Sequence, residues 1–224
     1  MLRTVSVWQV RSSYEFGGRY GRDFIGIRTS GGHQIVESTH PMYELDRDYV
    51  AKIKQLQRIR LAIVGKDPYP RGACGIPFVK DTWHDLQGNS AGFCVFRSAF
   101  GQDPRKGLGS PRDAAFLFLE GGVVLLNASY YFLGEKAPIE SLHRTYVADS
   151  YKVNGPILDD SELVRLCGAA SKMISWVVGT MPLSFKRVPH PSMQSRNRLR
   201  NERKGEWDEW WASGRLGEWL KKSQ

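Results

Sequence analysis

Three polar side chains of different chemistry stand just after apolar stretches of the sequence. Asp67 comes shortly after the run at 61–64, Asn127 directly follows the run at 123–126, and His190 stands further along between two prolines. A carboxylate and an imidazole can take and give protons, and an amide offers one acceptor and two donors. Each residue alone has an ordinary explanation as a turn, a cap or a rigid loop. Together at the ends of predicted strands, they indicate a site.

Apolar runs alternate with helical patterns through the middle of the chain. Residues 61–64 and 123–126 are predicted strands, and Ser110-Pro111 predicts the start of a helix between them. A helix through 160–170 and a third strand at 174–178 are predicted next, and the imidazole follows after a short basic strand. This alternation is typical of an α/β fold with a largely parallel sheet. Ligands of such sheets bind beyond the carboxyl ends of the strands, where the three polar residues stand.

The two ends of the chain lack this alternation. Short strands or a hairpin, with a Ser30-Gly31-Gly32 turn, are predicted from the β-leaning stretches at 4–10, 24–29 and 34–36. The spacing of apolar residues predicts a helix over 46–56. Trp207, Trp210 and Trp211, with Trp219 and Leu220 further on, share one side of a predicted C-terminal helix. We expect this helix to pack against the sheet.

The composition is that of one globular domain. The chain has 224 residues, of which 41% are hydrophobic and 25% charged, which excludes a disordered or collagen-like protein. No internal repeat and no Pro- or Ser-rich linker divides it. We therefore predict a single domain over 1–224. Its parts are a divergent N-terminal region at 1–58, a core at 59–200 and a C-terminal helix at 201–224.

The charge balance favours a polyanionic partner. Lys plus Arg number 32 and Asp plus Glu 23, giving a net charge of +9, which attracts phosphate polymers. No apolar run is long enough to span a bilayer and no signal peptide is evident, so we expect a soluble, unexported protein without membrane contact. The three cysteines lack a Cys-x-x-Cys pair and the five histidines lack zinc-type spacing. Neither metal nor cofactor is expected.

Four short motifs stand in order along the chain: Gly65-Lys66-Asp67-Pro68-Tyr69, Gly75-Ile76-Pro77-Phe78, Leu125-Leu126-Asn127 and His190-Pro191-Ser192. In this order and at these intervals they resemble the motifs of uracil-DNA glycosylases. The first motif ends in Tyr69-Pro70, which resembles the same motif in the divergent poxviral branch of this family. The resemblance implies a three-layer α/β/α sandwich around a mainly parallel sheet. It also implies a monofunctional enzyme of base-excision repair, which flips uracil out of DNA, hydrolyses the N-glycosidic bond and leaves an abasic site.

The resemblance assigns the catalytic roles to Asp67 and His190. Asp67 would position or activate the water and stabilise oxocarbenium-like charge on the sugar. His190 would hydrogen-bond uracil O2 as negative charge develops there. A second carboxylic acid is not needed, because departing uracil is a stabilised anion. The resemblance places Lys66 among the uracil-binding residues. It stands where the main branch has Gln, and it would offer a phosphate contact.

Three further residues would bind uracil by the same resemblance. Phe78 would stack on the base, and the Asn127 amide would pair with its O4 and N3–H edge and so reject cytosine. Tyr69 would occupy the space that the methyl group of thymine needs, because a merely apolar pocket would not discriminate strongly. The implied specificity is therefore for uracil.

The loop at His190 departs from the family where DNA is expected to bind. The predicted DNA-binding residues are Ser192, Met193, Gln194, Arg196 and Arg198, within a basic stretch at 186–204. The family's His-Pro-Ser-Pro-Leu loop here lacks its Leu, which fills the gap left by the flipped base. Two alternatives are open: Met193 or Gln194 replaces the Leu, or the enzyme favours single strands, where unstacking costs less. Weak or no binding of the family's protein inhibitor, which captures that Leu, is expected.

Two other functions compete with this interpretation. Gly88-Asn89-Ser90-Ala91-Gly92 matches the nucleophile elbow of serine hydrolases, with Ser90 as nucleophile and His190 downstream. Its context argues against this, because the preceding residues are polar and 93–96 is predicted as a strand where the elbow requires a helix. The other alternative is a catalytically weak or inactive DNA-binding member of the same fold.

Partner and location follow from the resemblance. We expect a monomer that acts on single- or double-stranded DNA containing uracil. We expect it at the nucleoid in the cytoplasm of a prokaryote, or in the nucleus of a eukaryote. A glycosylase with a broader lesion range is the nearest variant of this function.

Overall fold

A parallel sheet of four strands forms the centre of the fold. The computed structural model describes residues 7–11, 23–29, 32–37, 45–132, 140–158, 164–167, 173–175, 185–212 and 214–221. The strands are β1 (Val7–Arg11), β2 (Asp23–Thr29), β3 (Gly32–Glu37), β4 (Leu61–Gly65), β5 (Val123–Asn127), β6 (Val164–Cys167) and β7 (Phe185–Lys186). The helices are α1 (Arg47–Gln55), α2 (Ala91–Phe100), α3 (Pro111–Glu120), α4 (Glu140–Leu158), α5 (Met193–Arg198), α6 (Asn201–Trp211) and α7 (Arg215–Lys221). The parallel sheet has the order β5-β4-β6-β7, so the predicted α/β class with a parallel sheet is confirmed.

The register of β4 and β5 brings the ends of both strands together. Leu61 pairs with Val123 at one end and Gly65 with Asn127 at the other. All five residues of each strand are buried, as is typical of parallel strands whose two faces are both covered. The loops that leave these strands therefore start side by side at one edge of the sheet.

The N-terminal strands form a separate antiparallel sheet in the order β1-β2-β3. Val7 pairs with Ile27, and Thr29 pairs with Gly32 across the following connection. The three predicted strands are thus confirmed, with small shifts at their ends. Residues 4–6 and the turn residues Ser30 and Gly31 lie outside the described residues.

Two predicted helices begin at polar caps, as their sequences indicate. The Asp46 carboxylate accepts a hydrogen bond from the Tyr49 N–H at 2.8 Å at the start of α1. The Ser110 hydroxyl accepts a hydrogen bond from the Asp113 N–H at 3.1 Å at the start of α3, whose first residue is Pro111. Each such cap contributes on the order of 1 kcal/mol to stability. The predictions for α1 and α3 are confirmed.

The predicted order of helix and strand after residue 158 is wrong. β6 lies at Val164–Cys167, inside the stretch predicted as a helix, and residues 173–175 are helical where a strand was predicted to begin. A short apolar run suits either structure by periodicity, and pairing with β4 decides in favour of the strand at 164–167. The rest of the predicted strand, at 176–178, lies outside the described residues. The short basic strand before His190 is β7.

The C-terminal segment contains two helices rather than one. Gly214 separates α6 from α7 with a φ of 75°, a left-handed conformation that suits glycine. Trp207, Trp210 and Trp211 are buried, as predicted, but the main contacts of α6 and α7 are with α2 rather than with the sheet. The side chain of Trp219 lies outside the described residues. No helix in the described part of the chain is long and apolar enough to cross a bilayer.

Candidate active site at the ends of the parallel strands

A cavity of about 190 Å³ opens beyond the ends of β4 and β5. Six predicted site residues line it: Lys66, Asp67, Tyr69, Phe78, Asn127 and His190. They come from four separate stretches of the sequence. The structure therefore brings together every residue predicted to act in catalysis or to bind the base.

Asp67 lies in the loop that leaves β4. Its side chain is 14% exposed, and one carboxylate oxygen is 3.7 Å from the ammonium of Lys66, whose side chain is 38% exposed. Pro68 and Pro70 restrict the backbone that follows Asp67. The start of the loop is tied to the end of β5, because the Ser129 N–H donates to the Lys66 carbonyl at 3.0 Å. The carboxylate is thus held at the cavity and can accept a proton from a water molecule there.

His190 is held in one orientation by the residue two positions later. The backbone N–H of Ser192 donates to Nδ1 at 3.3 Å, and the Ser192 hydroxyl lies 3.1 Å from the same nitrogen. Because a backbone N–H can only donate, Nδ1 is the acceptor and the neutral ring carries its proton on Nε2. Burial, with added repulsion from the Lys66 ammonium, lowers the pKa of His190 below its ordinary value. The site therefore contains a neutral imidazole whose Nε2–H can donate a hydrogen bond.

Asn127 ends β5 and is 3% exposed. Its backbone carbonyl accepts a hydrogen bond from the Asn154 amide at 2.7 Å, and the Tyr130 hydroxyl donates to the Asn154 oxygen at 2.7 Å. Asn154 belongs to α4, so this helix fixes the strand end that carries Asn127. Sequence reasoning missed Asn154, because a lone amide within a helix gives no signal of a contact 27 residues away.

Phe78 has a backbone conformation that is rare for its residue type. Its φ is 66°, in the left-handed region, which costs a non-glycine residue on the order of 1–2 kcal/mol. Two glycines pack closely against Phe78. A Cβ at Gly92 would overlap the Phe78 carbonyl, and a Cβ at Gly65 would lie 2.8 Å from the Phe78 ring. The ring is 8% exposed and lines the cavity. Strain of this kind is concentrated at functional sites.

The Tyr69 side chain is fixed at its hydroxyl. The Gly92 N–H, in the first turn of α2, donates to this hydroxyl at 2.9 Å. The Lys80 ammonium lies 5.1 Å from the centre of the ring. Burial raises the pKa of Tyr69 above its ordinary value, so the phenol stays protonated. The ring is thus a rigid, uncharged part of the cavity wall.

Ser90 is the N-cap of α2. Its hydroxyl accepts a hydrogen bond from the Phe93 N–H at 3.3 Å. The strand predicted at 93–96 is wrong, because these residues belong to α2 and are buried on all sides of the helix, which removes the period that distinguishes helix from strand. Residues 81–89 form bends and turns, so no strand leads into Ser90 as a nucleophile elbow requires.

The predicted DNA-binding residues lie on α5 and at its start. Ser192 caps this helix by accepting a hydrogen bond from the Ser195 N–H at 3.2 Å. Gln194 and Arg198 are exposed, and Met193 is half-buried. The Arg196 guanidinium forms a two-pronged ion pair with Asp208 of α6, at 2.7 and 2.8 Å. Arg196 thus links α5 to α6, whatever further contact it makes.

A larger cavity of about 660 Å³ lies between α1, β5 and α4. Apolar side chains such as Val50, Ile53 and Ile157 line most of it, and its charged lining residues are Lys54 and Lys152. No carboxylate and no imidazole stands among these lining residues. Because convergent polar groups matter more than volume for chemistry, the smaller cavity is the candidate active site.

The chain matches no protein-family model and no curated protein. What it does must therefore follow from the side chains that the fold brings together. Among the described residues no cluster of three or more His, Cys, Asp or Glu has the arrangement of a metal site.

Proposed function

We propose that the protein is a uracil-DNA glycosylase, which removes uracil from DNA by hydrolysing the N-glycosidic bond. The convergence of Asp67, Tyr69, Phe78, Asn127 and His190 on one cavity is the observation that carries this proposal. A volume of about 190 Å³ is below that of sites for drug-sized ligands and suits a single planar ring. In this proposal the helices on the parallel sheet form the three-layer α/β/α sandwich of that family.

The cavity wall supplies the groups that recognition of uracil requires. The Phe78 ring offers a flat face on which a base can stack. The Asn127 amide offers an acceptor for N3–H and a donor for O4, whereas cytosine presents the opposite pattern at these two positions. The Tyr69 ring, fixed by Gly92, takes the space beside C5, so the methyl group of thymine is excluded.

Hydrolysis uses the two remaining polar groups. As the bond between C1′ and N1 breaks, its electron pair passes to uracil, and negative charge grows on O2. The His190 Nε2–H donates a hydrogen bond to this oxygen, and the neutral ring stabilises the growing charge without giving up its proton. Asp67 stabilises the positive charge on the sugar and accepts a proton from the water that attacks C1′. The uracil anion then takes up one proton and Asp67 gives up the one it received, so that free uracil and an abasic site result.

The surface beside the cavity suits DNA. The net charge is +9, and the exposed side chains of Arg198 and Arg200 follow the loop that carries His190. Phosphate contacts of this kind release counterions, so binding weakens as salt rises. Exposed Gln194, rather than half-buried Met193, is placed to fill the gap that a flipped base leaves in a duplex.

The test is base release from oligonucleotides with one uracil, thymine, cytosine or hypoxanthine, each as a single strand and as a duplex. We expect release of uracil alone. Release of hypoxanthine as well would indicate the broader lesion range. No release of any base, with DNA binding retained, would refute the proposal and leave a DNA-binding protein of this fold.

A further inference from the structure

The loop that carries His190 is held by two tryptophans of α6. The Trp207 indole N–H donates to the His190 carbonyl at 3.0 Å, and the Trp211 indole N–H donates to the Pro189 carbonyl at 2.9 Å. Each of the two side chains is 1% exposed. They stand four residues apart, on one face of the helix. Two consecutive carbonyls of the loop are thus bound by one helix face.

The backbone of this loop forms few of the hydrogen bonds that a strand or helix would provide. Pro189 and Pro191 have no N–H to donate, and residues 187–192 belong to no strand. Pro189 is buried, so its carbonyl needs a partner inside the protein. The indole donors supply these partners and fix the peptide unit on each side of the His190 Cα.

The helix that carries the tryptophans is itself anchored. Asp208, next to Trp207, holds the Arg196 guanidinium of α5 in the two-pronged ion pair. Two guanidinium carbons lie near the Trp207 ring, that of Arg97 at 5.9 Å and that of Arg196 at 5.5 Å from its centre. The indole therefore cannot turn away from His190 without breaking these contacts.

We propose that Trp207 and Trp211 are positioning residues for His190, which keep its Nε2–H directed into the cavity through hydrogen bonds to the loop backbone. Neither Trp207 nor Trp211 lines the cavity itself, so each acts through the loop that carries His190. The inference rests on the proposed function, because it gives His190 a donor role in catalysis.

Trp210 provides a matched control on the same helix. Its side chain is 2% exposed, and its indole nitrogen has no hydrogen-bond partner among the described residues. Trp207→Phe and Trp210→Phe thus remove the same atoms from equally buried positions, but only the first removes a donor to the loop. Both are compared at a temperature where far-UV circular dichroism shows all variants folded.

The kinetic test measures uracil release. We expect Trp207→Phe and Trp211→Phe to lower kcat by about tenfold or more with KM within about twofold, since misplaced catalytic groups slow the chemical step. Trp210→Phe should keep the kcat of the wild type. In a His190→Ala background, Trp207→Phe should cause no further loss. An equal loss with and without His190 would overturn the positioning role.

A second measurement needs no substrate. The Ser192 amide proton is bonded to His190 Nδ1, so its hydrogen exchange reports the geometry of the loop. We expect exchange at Ser192 to quicken in Trp207→Phe while the amide of Ile63 in β4 is unchanged. Unchanged exchange at Ser192 would overturn the inference. If the wild type released no uracil, the proposed function would fail, and this measurement alone would decide the positioning claim.

Discussion

Gly65 lies where any side chain would collide with Asn127 and Phe78, the two residues that recognise the base in the proposed function. A Cβ at this position would lie 2.6 Å from the Asn127 Oδ1 atom and 2.8 Å from the Phe78 ring. Ordinary contacts of this kind are about 3.5 Å or longer, so both side chains must withdraw by roughly 0.7–0.9 Å. A misplacement near 1 Å costs on the order of a hundredfold in rate. Forcing a methyl group into a packed core also costs about 1–3 kcal/mol of stability.

We therefore expect Gly65→Ala to lower kcat/KM for uracil release by about a hundredfold and to lower the Tm. The matched control is Gly205→Ala, because a Cβ at this exposed position of α6 meets no atom within 4 Å. Alanine there favours the helix, so the control should keep full activity and a Tm at or above that of the wild type. Single-turnover kinetics and thermal melts measure both effects. A Gly65→Ala protein with the rate and Tm of the control would refute this account of the pocket.

Three further outcomes are expected. Because the pKa of His190 is lowered in the folded protein, pH-rate profiles should show uracil release near its maximum as pH falls through about 6.5 and a decline only below it. The neutral ring's contribution to stability should be full above about pH 6.5 and lost below it, as melts at different pH values will show. A decline centred at 6.5 or above would contradict the neutral donor. Ser90→Gly removes the hydroxyl but keeps a residue that caps helices, so uracil release should persist; its loss in a folded protein would show that the Ser90 hydroxyl takes part in the reaction. Gln194→Ala should slow release from duplex several-fold more than from single strands, and equal effects on both would show that Gln194 fills no gap.

The strands that build the site could be predicted because their length, composition and flanking residues favour buried strands. β4 and β5 are short runs of apolar residues, several of them β-branched, each between polar or glycine-containing segments, and both are buried throughout. The polar residues after such strands must meet at one edge of the sheet. Asp67 and Asn127 could therefore be brought together from the sequence alone, and the structure places both at the cavity.

The parts that sequence reasoning missed depend on contacts between distant residues. The stretch at 164–167 forms a strand because β4 offers a free edge, which local periodicity does not show. Asn154 and Trp207 support the site through single hydrogen bonds across 27 and 17 residues of sequence. The left-handed φ of Phe78 accompanies the close approach of Gly92 to its carbonyl. None of these contacts leaves a pattern in the sequence.

The measurement that tests the central claim most directly is single-turnover release of uracil from a single-stranded oligonucleotide by the wild type and by Asp67→Asn. The amide keeps the size of the carboxylate but accepts no proton and carries no charge. We expect release to be slower by several orders of magnitude in the variant, with an unchanged Kd for the same oligonucleotide. Equal rates in the two proteins would contradict the role of Asp67, and no release by the wild type would contradict the proposed function itself.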